Sequence, residues 1–235
     1  MSLIDTLTSL FAPDDCLSCR REGSLLCGVC AKALHQPPGT CFECYAAIDG
    51  IVCSACLQRS GCGSITAAAD YQGVAKQLVA SLKFLGNQSA AKVMAERMMN
   101  VYAPPPDTLV IHMPATAQHI RQRGYDQAAL LAKQIVRLSR CSRASLLVRH
   151  GRQHQLGSDR RERLTQLQNV LHVKRQESIQ GRHVLLVDDV LATGASVKAA
   201  TAALLGAGAA RVDVLVFAQS IGKREGLYNL KPDCL

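Results

Sequence analysis

Aromatic residues are scarce in this chain of 235 residues: they make up 4% of the sequence, and tryptophan is absent. Proteins commonly bind single-stranded nucleic acid by stacking successive bases on aromatic side chains. So few aromatic rings argue against such a stacking surface in this protein. Long apolar runs are missing too, since the longest candidate, residues 199–210, falls short of the roughly 18 residues of a membrane span. We therefore expect a protein without a membrane span.

We also expect no secretory leader. The first 15 residues contain Asp5 but no lysine or arginine, whereas a leader begins with a basic segment. Without export, stable disulfides are disfavoured. Contents of 48% hydrophobic and 19% charged residues are typical of a globular protein, so we expect a cytoplasmic location.

Positive charge is concentrated in one part of the chain. The net charge is +9, and the stretch from His119 to Arg182 holds 14 Lys and Arg against 4 Asp and Glu. The remainder holds 13 basic and 14 acidic residues. This local excess predicts an anionic partner, and the phosphates of a small ligand and those of nucleic acid both qualify.

Cysteine is concentrated near the N-terminus. Nine of the eleven cysteines lie within residues 16–62, and eight of them form CxxC pairs: Cys16 with Cys19, Cys27 with Cys30, Cys41 with Cys44, and Cys53 with Cys56. A CxxC turn directs two thiolates at one metal ion, and two such turns complete a tetrahedral zinc site. The spacing predicts two structural Zn²⁺ sites. The spacing does not decide whether the CxxC pairs combine sequentially or in an interleaved order. It also does not decide whether the zinc sites contact DNA or are purely structural.

Apolar segments alternate in type after residue 62. Strands are predicted at 65–71, 108–113, 144–148, 184–187 and 212–217, and helices at 74–84, 90–102, 128–138 and 197–205. This alternation predicts an α/β fold, a parallel sheet with helices on both faces. With Gly61-Cys62-Gly63 as the boundary, we predict a small Cys-rich double zinc ribbon over residues 1–62 and the α/β domain over residues 63–235.

The segment 184–196 is the best candidate site. Four apolar residues predict a buried strand that ends before Asp188 and Asp189, and a turn containing Thr193 and Gly194 then leads into a helix. Ligands of such sheets bind beyond the carboxyl ends of the strands, where a helix N-terminus offers N–H groups to phosphate. Exposed carboxylates at this edge would bind sugar hydroxyls or help to hold Mg²⁺. The segment therefore predicts a site for a phosphorylated sugar.

Two arginines follow the end of another predicted strand. Pro114 stops that strand, and Arg121 and Arg123 are predicted to lie in the loop after it. Arginine offers forked donors to phosphate oxygens, so this loop suits a pyrophosphate. Asp126 is placed to cap the helix that follows.

Several motifs combine along most of the chain: the CxxC pairs, Leu82-Lys83-Phe84, Arg121 with residues 123–127, Gln155 with Glu162-Arg163, and the segment 184–196. Together they resemble ComF/GntX-type proteins, in which a double zinc ribbon precedes a type I phosphoribosyltransferase-like domain. The segment 184–196 is similar to the motif that binds phosphoribosyl pyrophosphate (PRPP) in that fold.

The resemblance implies specific roles for the candidate residues. Asp188 and Asp189 would hold the ribose hydroxyls, and Arg121 and Arg123 would stabilise a departing pyrophosphate, with Mg²⁺ bound beside PRPP. The 5-phosphate would be held by the next turn, residues Ala192, Thr193, Gly194, Ala195 and Ser196. The resemblance also implies a link to DNA uptake in natural transformation or to the use of DNA as a nutrient, with single-stranded DNA and uptake proteins as candidate partners.

The sequence leaves the nature of the activity open. One hypothesis is Mg²⁺-dependent phosphoribosyl transfer to an unidentified acceptor with release of pyrophosphate. The alternative is a non-catalytic accessory protein that senses a nucleotide and holds single-stranded DNA. A third is a regulatory homologue that binds an effector without turnover.

Overall fold

A computed structural model of the chain describes residues 15–37, 39–149 and 171–220. Its centre is a five-stranded sheet in which every pair of neighbouring strands is parallel. The strands are β1 (Ser64–Asp70), β2 (Leu109–His112), β3 (Ser142–Arg143), β6 (His183–Leu191) and β7 (Arg211–Gln219). Their order is β1-β7-β6-β2-β3, so the candidate segment begins in the central strand, β6.

The described residues form seven α-helices. They are α1 (Gly28–Lys32), α2 (Ser54–Ser60), α3 (Gly73–Phe84), α4 (Ala90–Val101), α5 (Ala117–Arg123), α6 (Gln127–Leu138) and α7 (Ala195–Gly206). Helices α3, α4 and α6 share one hydrophobic core with one face of the sheet, and α7 shares a second core with the other face. The predicted parallel sheet with helices on both faces is confirmed.

The apolar run in β6 follows from this layering. Val184 and Leu186 belong to the core on the α7 side, while Leu185 and Val187 belong to the core on the side of α3, α4 and α6. Side chains alternate between the faces of a strand, so a strand covered on both faces needs apolar residues at every position.

The Cys-rich module packs against both faces of the sheet. Leu25 belongs to the core on the side of α3, whereas Phe42 and Ile51 belong to the core on the side of α7. The backbone N–H of Asp70, at the end of β1, donates to the carbonyl of His35 at 2.9 Å. The module is therefore clamped to the sheet, and the division at residues 62 and 63 stays a prediction.

Three elements differ from the sequence predictions. The strand predicted at 184–187 extends to Leu191, and the predicted arginine loop contains helix α5. The strand predicted at 144–148 is replaced by β3 and by β4 (Leu147–Arg149), which pairs antiparallel with β5 (Leu171–Val173) before a short 3₁₀ helix at Gln176–Ser178. Residues 150–170, with Gln155, Glu162 and much of the basic stretch, lie outside the described residues.

Helix length also bears on the membrane prediction. Within 15–37, 39–149 and 171–220, no helix is both long enough and apolar enough to cross a bilayer.

Candidate functional site

The two acids lie where the central strand projects past one neighbour. Strand β2 ends opposite Val187, and the N–H of Met113 makes a last contact to the Val187 carbonyl at 2.8 Å. Strand β6 continues along β7, with Asp188 opposite Val216. The acids thus lie at the carboxyl end of the sheet, beside the end of β2, as expected for a ligand site.

Asp189 contradicts the prediction that both acids reach solvent. Its exposed fraction is 3%, and its Oδ1 lies 2.9 Å from the ammonium of Lys83. The strand does not end at Val187, so the alternation of side chains continues and turns Asp189 to the side of α3. Its second oxygen, Oδ2, is buried and has no hydrogen-bond partner among the described residues.

Asp188 points the other way and remains partly exposed. Its Oδ1 accepts a hydrogen bond from the backbone N–H of Asp189 at 2.8 Å. Burial and the neighbouring Asp189 carboxylate raise the pKa of Asp188 well above its ordinary value, while that hydrogen bond and the Lys83 charge act in the opposite direction. The raised pKa means that the charged form is disfavoured without a ligand, and a bound cation or hydrogen-bond donor would favour the carboxylate again.

Lys83 is a site residue for which the sequence predicted no role. It lies in the last turn of α3, directly after the fully buried Leu82, and reaches Asp189 across the space between helix and strand. The tripeptide Leu82-Lys83-Phe84 carried the resemblance, so the signal was present in the sequence. A single lysine beside an apolar helix face does not reveal its partner, because a lysine stem commonly lies along such a face.

His112 is a second polar residue near the acids. It is buried at the end of β2, and its Nε2 lies 4.0 Å from Asp126 Oδ2. Burial lowers the pKa of His112 and outweighs the Asp126 charge, with Arg143 adding to the lowering. We therefore expect a neutral imidazole at this position near pH 7.

The predicted arginine loop is a helix with defined ends. Thr116 caps α5 by accepting from the N–H of His119 at 3.2 Å, and Gly124 ends it with φ of +80°. Asp126 then caps α6, as predicted, by accepting from the N–H groups of Ala128 and Ala129 at 3.0 and 3.2 Å. Its other oxygen accepts from the N–H of Ala115 at 2.8 Å, which ties the start of α6 to the end of β2.

A pocket of about 360 Å³ lies between the end of α3 and α5. Its lining consists of Lys83, Phe84, Gly86, His119, Gln122, Arg123 and Tyr125. The Arg123 guanidinium lies 5.5 Å from the centre of the Phe84 ring and donates to Gln127 Oε1 at 2.8 Å. The Tyr125 hydroxyl donates to the Leu82 carbonyl, which joins the two sides of the pocket.

The two arginines therefore differ in position. Arg123 shares the pocket with Lys83, whereas Arg121 is exposed and does not line it. Because Lys83 contacts Asp189, the cationic pocket and the acid pair adjoin each other through one side chain.

The predicted phosphate turn lies between β6 and α7. Ala192 and Thr193 are exposed, and Gly194 adopts φ of +72° directly before Ala195 begins the helix. The Ala195 N–H donates to Thr193 Oγ1 at 3.5 Å, and the N-cap residue, Gly194, has no side chain with which to cap the helix. The first N–H groups of α7 and the hydroxyl of Ser196 thus border the turn, an arrangement that suits an anion.

The cysteines form two separate clusters. The four Sγ atoms of Cys16, Cys19, Cys27 and Cys30 all lie within 4.8 Å of one another, as do those of Cys41, Cys44, Cys53 and Cys56. Pairing is therefore sequential, first with second and third with fourth, as loop-closure entropy favours. Each cluster offers four sulfur ligands to one metal ion.

Backbone N–H groups favour the thiolate form at one cysteine of each cluster. Burial raises the pKa of Cys16, but backbone N–H groups of Cys19, Cys27 and Ser18 outweigh it and lower the pKa to about 6. Burial likewise raises the pKa of Cys41, and N–H groups of its own cluster lower it to about 7. Thiolates are the form that binds metal, so both clusters suit a metal such as Zn²⁺.

The chain is similar to several known proteins. A family model described as the phosphoribosyl transferase domain matches residues 120–234. The DNA utilization protein YhgH of Salmonella typhi is 29% identical over 224 residues, which cover 87% of this chain and 96% of that protein. The competence protein ComFC of Bacillus subtilis is 24% identical over 209 residues, which cover 86% and 82%. These comparisons confirm the resemblance to ComF/GntX-type proteins.

Among solved structures, the allosteric regulatory enzyme of purine biosynthesis matches 55% of this chain and 25% of its own chain, with a TM-score of 0.42 and 18% identity. The region matched by the family model contains both arginines, the acid pair and the phosphate turn. Lys83 and the two cysteine clusters precede that region.

Proposed function

We propose that this protein binds PRPP at the carboxyl end of β6. The observation that carries the proposal is the continuous segment in which Asp188 and Asp189 lie near the end of the central strand and the phosphate turn leads directly into α7. In PRPP, the ribose hydroxyls and the 5-phosphate lie a short distance apart. The segment offers hydrogen-bond acceptors for the hydroxyls, followed by donors for the phosphate.

Each part of PRPP has a candidate partner. The 5-phosphate would be held by the turn formed by Ala192, Thr193, Gly194, Ala195 and Ser196. A ribose hydroxyl would donate to Asp188, which is partly exposed, and a second would donate to the unpartnered Oδ2 of Asp189. Lys83 would orient the Asp189 carboxylate through their 2.9 Å contact.

The pyrophosphate would occupy the pocket beside the acids. Arg123 and Lys83 place two positive charges on its lining, and His119 and Gln122 add hydrogen-bonding groups. Arg121 is exposed one position before Gln122 and would contribute from outside the pocket. Such preorganised charges stabilise a leaving group that gains negative charge, the effect with the greatest leverage on rate.

The reaction we propose is phosphoribosyl transfer. A nucleophile of an acceptor forms a bond to C1 of the ribose, the bond from C1 to the pyrophosphate oxygen breaks, and pyrophosphate leaves with the electron pair. Positive charge develops on the ribose ring, and the carboxylates of Asp188 and Asp189 stabilise it. The carboxylate oxygens also fit Mg²⁺, which prefers oxygen ligands and would supply neutralisation of the pyrophosphate charge when bound.

The wider role that we propose is a link to DNA utilisation or DNA uptake in the cytoplasm. The support comes from relatives whose names are DNA utilization protein and competence protein. We further propose Zn²⁺ in both cysteine clusters, because four sulfurs at sequential CxxC pairs match its tetrahedral preference.

Thermal unfolding with and without ligand tests the proposed site. A ligand that binds only the folded state stabilises it by about 2.7 kcal/mol at a concentration of 100 times Kd. We expect PRPP with Mg²⁺ to raise the melting temperature, and ribose 5-phosphate or pyrophosphate alone to raise it less because each fills part of the site. Thr193→Val should reduce the rise by removing one hydroxyl donor. No rise with PRPP would refute the proposal.

A second candidate function is nucleotide sensing combined with single-stranded DNA binding. The observation in its favour is the Phe84 ring, which is 71% exposed and lies beside the Arg123 guanidinium. An exposed ring next to a cation can stack a base and contact its phosphate. Phe84→Ala should then weaken the binding of a single-stranded oligonucleotide, measured at several salt concentrations. Val29→Ala is the control, because Val29 is a similarly exposed apolar residue, and it should leave the affinity unchanged.

A further inference from the structure

One turn of the second cysteine cluster lies directly on the phosphate turn. Phe42, between the ligands Cys41 and Cys44, has an exposed fraction of 3%. A Cβ atom added at Gly194 would come within 2.3 Å of Phe42 Cε2. The ring therefore packs against the backbone of residue 194, and only glycine leaves room for it.

The neighbouring residue of the same turn holds the start of α7. Glu43 Oε1 lies 2.7 Å from the ammonium of Lys198, and the Glu43 side chain is only 11% exposed. The backbone N–H of Lys198 donates to the Gly194 carbonyl at 2.9 Å, in the first turn of the helix. Phe42 and Glu43 thus contact the turn and the helix whose N–H groups would bind the 5-phosphate.

A third contact reaches the strand end before the turn. The Gln219 side chain, fully buried at the end of β7, donates through Nε2 to the Thr40 carbonyl at 3.2 Å. The next residue, Ser220, donates its N–H to the carbonyl of Leu191, the last residue of β6, at 2.7 Å. The module therefore contacts both flanks of the phosphate turn.

The shape of this contacting surface depends on the cysteines. Phe42 and Glu43 are the two residues inside the Cys41–Cys44 turn, and the small core of the module consists of three cysteines and Ala46. So few apolar groups supply little folding free energy, which a metal bound by four thiolates would provide.

The first cluster lies beside the other face of the sheet. Its apolar contact, Leu25, belongs to the core on the opposite face of the sheet, with α3 and α4. The two clusters thus offer an internal comparison within one chain.

We propose that the second cysteine cluster is a positioning element of the phosphoribosyl site: metal held by Cys41, Cys44, Cys53 and Cys56 fixes Phe42 and Glu43 against the phosphate turn, and so sets the affinity for the 5-phosphate. The proposal rests on the proposed function for its ligand, and on the contacts alone for the ordering of the turn.

Hydrogen exchange of the full-length protein with bound zinc tests the ordering without any ligand. Cys44 and Cys53 approach within 3.7 Å in the second cluster, and Cys19 and Cys27 approach within 3.6 Å in the first. We expect Cys44→Ser with Cys53→Ser to raise exchange at amides 193–198, and Cys19→Ser with Cys27→Ser to leave it near the parent rate. Equal exchange at these amides in the two variants would overturn the proposal.

Ligand affinity supplies a second readout that spares the metal ligands. Glu43→Gln should weaken ribose 5-phosphate binding about tenfold, because coupling through one packed contact is of that order. Glu22 is an exposed acid between the two CxxC pairs of the first cluster, and Glu22→Gln should bind ribose 5-phosphate as the parent does. Unchanged affinity in Glu43→Gln would contradict the proposal. If the parent protein does not bind ribose 5-phosphate, the proposed site is refuted. The hydrogen-exchange pattern then still decides whether the second cluster orders the phosphate turn.

Discussion

Asp188 and Asp189 are adjacent in sequence but have different surroundings. Asp189 is buried against Lys83, whereas Asp188 faces the side of α7 and keeps access to solvent. We therefore expect a ribose to contact Asp188 first, and we expect Asp189 to serve both the ligand and the fold. Substitutions at the two positions should separate these roles.

Stability should respond to Asp189 and hardly to Asp188. Asp189→Asn leaves the Lys83 ammonium, 19% exposed, without its anionic partner, and removing one member of a buried pair costs about 3 kcal/mol. Asp188→Asn preserves the acceptor for the Asp189 N–H and should cost under about 1 kcal/mol. Urea unfolding of the three proteins measures the difference. Equal free energies of unfolding for the two variants would contradict this division.

The two arginines should contribute unequally to pyrophosphate binding. Arg123 lines the pocket with Lys83, and losing a charge-assisted hydrogen bond weakens binding about tenfold or more. Arg121 is exposed to solvent, where screening reduces its effect to about threefold or less. Titration of pyrophosphate into Arg123→Ala and Arg121→Ala checks this order, and a larger loss in Arg121→Ala would show that the pocket is not the pyrophosphate site.

At the scale of elements, the helices and strands that bury an apolar face were predictable from the sequence. Helix α3 and strand β7 agree closely with the predictions because α3 buries residues at helical spacing and β7 buries a continuous run of residues. Helix α5 was missed because none of its residues is buried, so hydrophobic periodicity had nothing to detect. Its signals were local ones, Thr116 as cap and Gly124 as terminator.

Strand β6 illustrates a different limit. Its apolar run serves both faces of the sheet, so the pattern carries no alternation that tells which acid points inward. Two carboxylates after four apolar residues also resemble a strand end, whereas pairing with β7 extends the strand to Leu191. The identity of the acid pair was predictable, and the orientation of each carboxylate was not.

The turn after β6 should depend on the absence of a side chain at residue 194. Gly194→Ala meets both a positive φ and the Phe42 ring, so we expect a loss of about 2 kcal/mol in stability. Gly206→Ala, at the other end of α7, meets no atom within 4 Å and should change stability by less than about 1 kcal/mol. Thermal unfolding of both variants is the measurement, and a Gly194→Ala protein as stable as the parent would contradict the described packing.

At the scale of the whole molecule, the cysteine module and the sheet form a connected structure. The number of sulfur sites was predictable from four CxxC pairs, but their pairing and their contacts with the sheet were not, because both depend on how distant turns meet in space. The structure shows sequential pairing and contacts with cores on both faces of the sheet.

The metal content should reflect both clusters. We expect two Zn²⁺ per chain by elemental analysis of the native protein, since each cluster brings four sulfurs within 4.8 Å of one another. Structural zinc contributes about 10–16 kcal/mol in small zinc-binding peptides, so a chelator should lower the melting temperature markedly. One Zn²⁺ per chain would limit the assignment to a single cluster, and none would refute it.

Calorimetric titration of PRPP with Mg²⁺ into the parent and into Asp188→Asn tests the central claim, that the acid pair and the phosphate turn bind a phosphoribosyl ligand. The variant loses a charge-assisted hydrogen bond to a ribose hydroxyl, worth about 1.5–3 kcal/mol. The account predicts binding by the parent and an affinity lower by about 10- to 150-fold in Asp188→Asn, with both proteins folded. Equal affinity in the two folded proteins would contradict it.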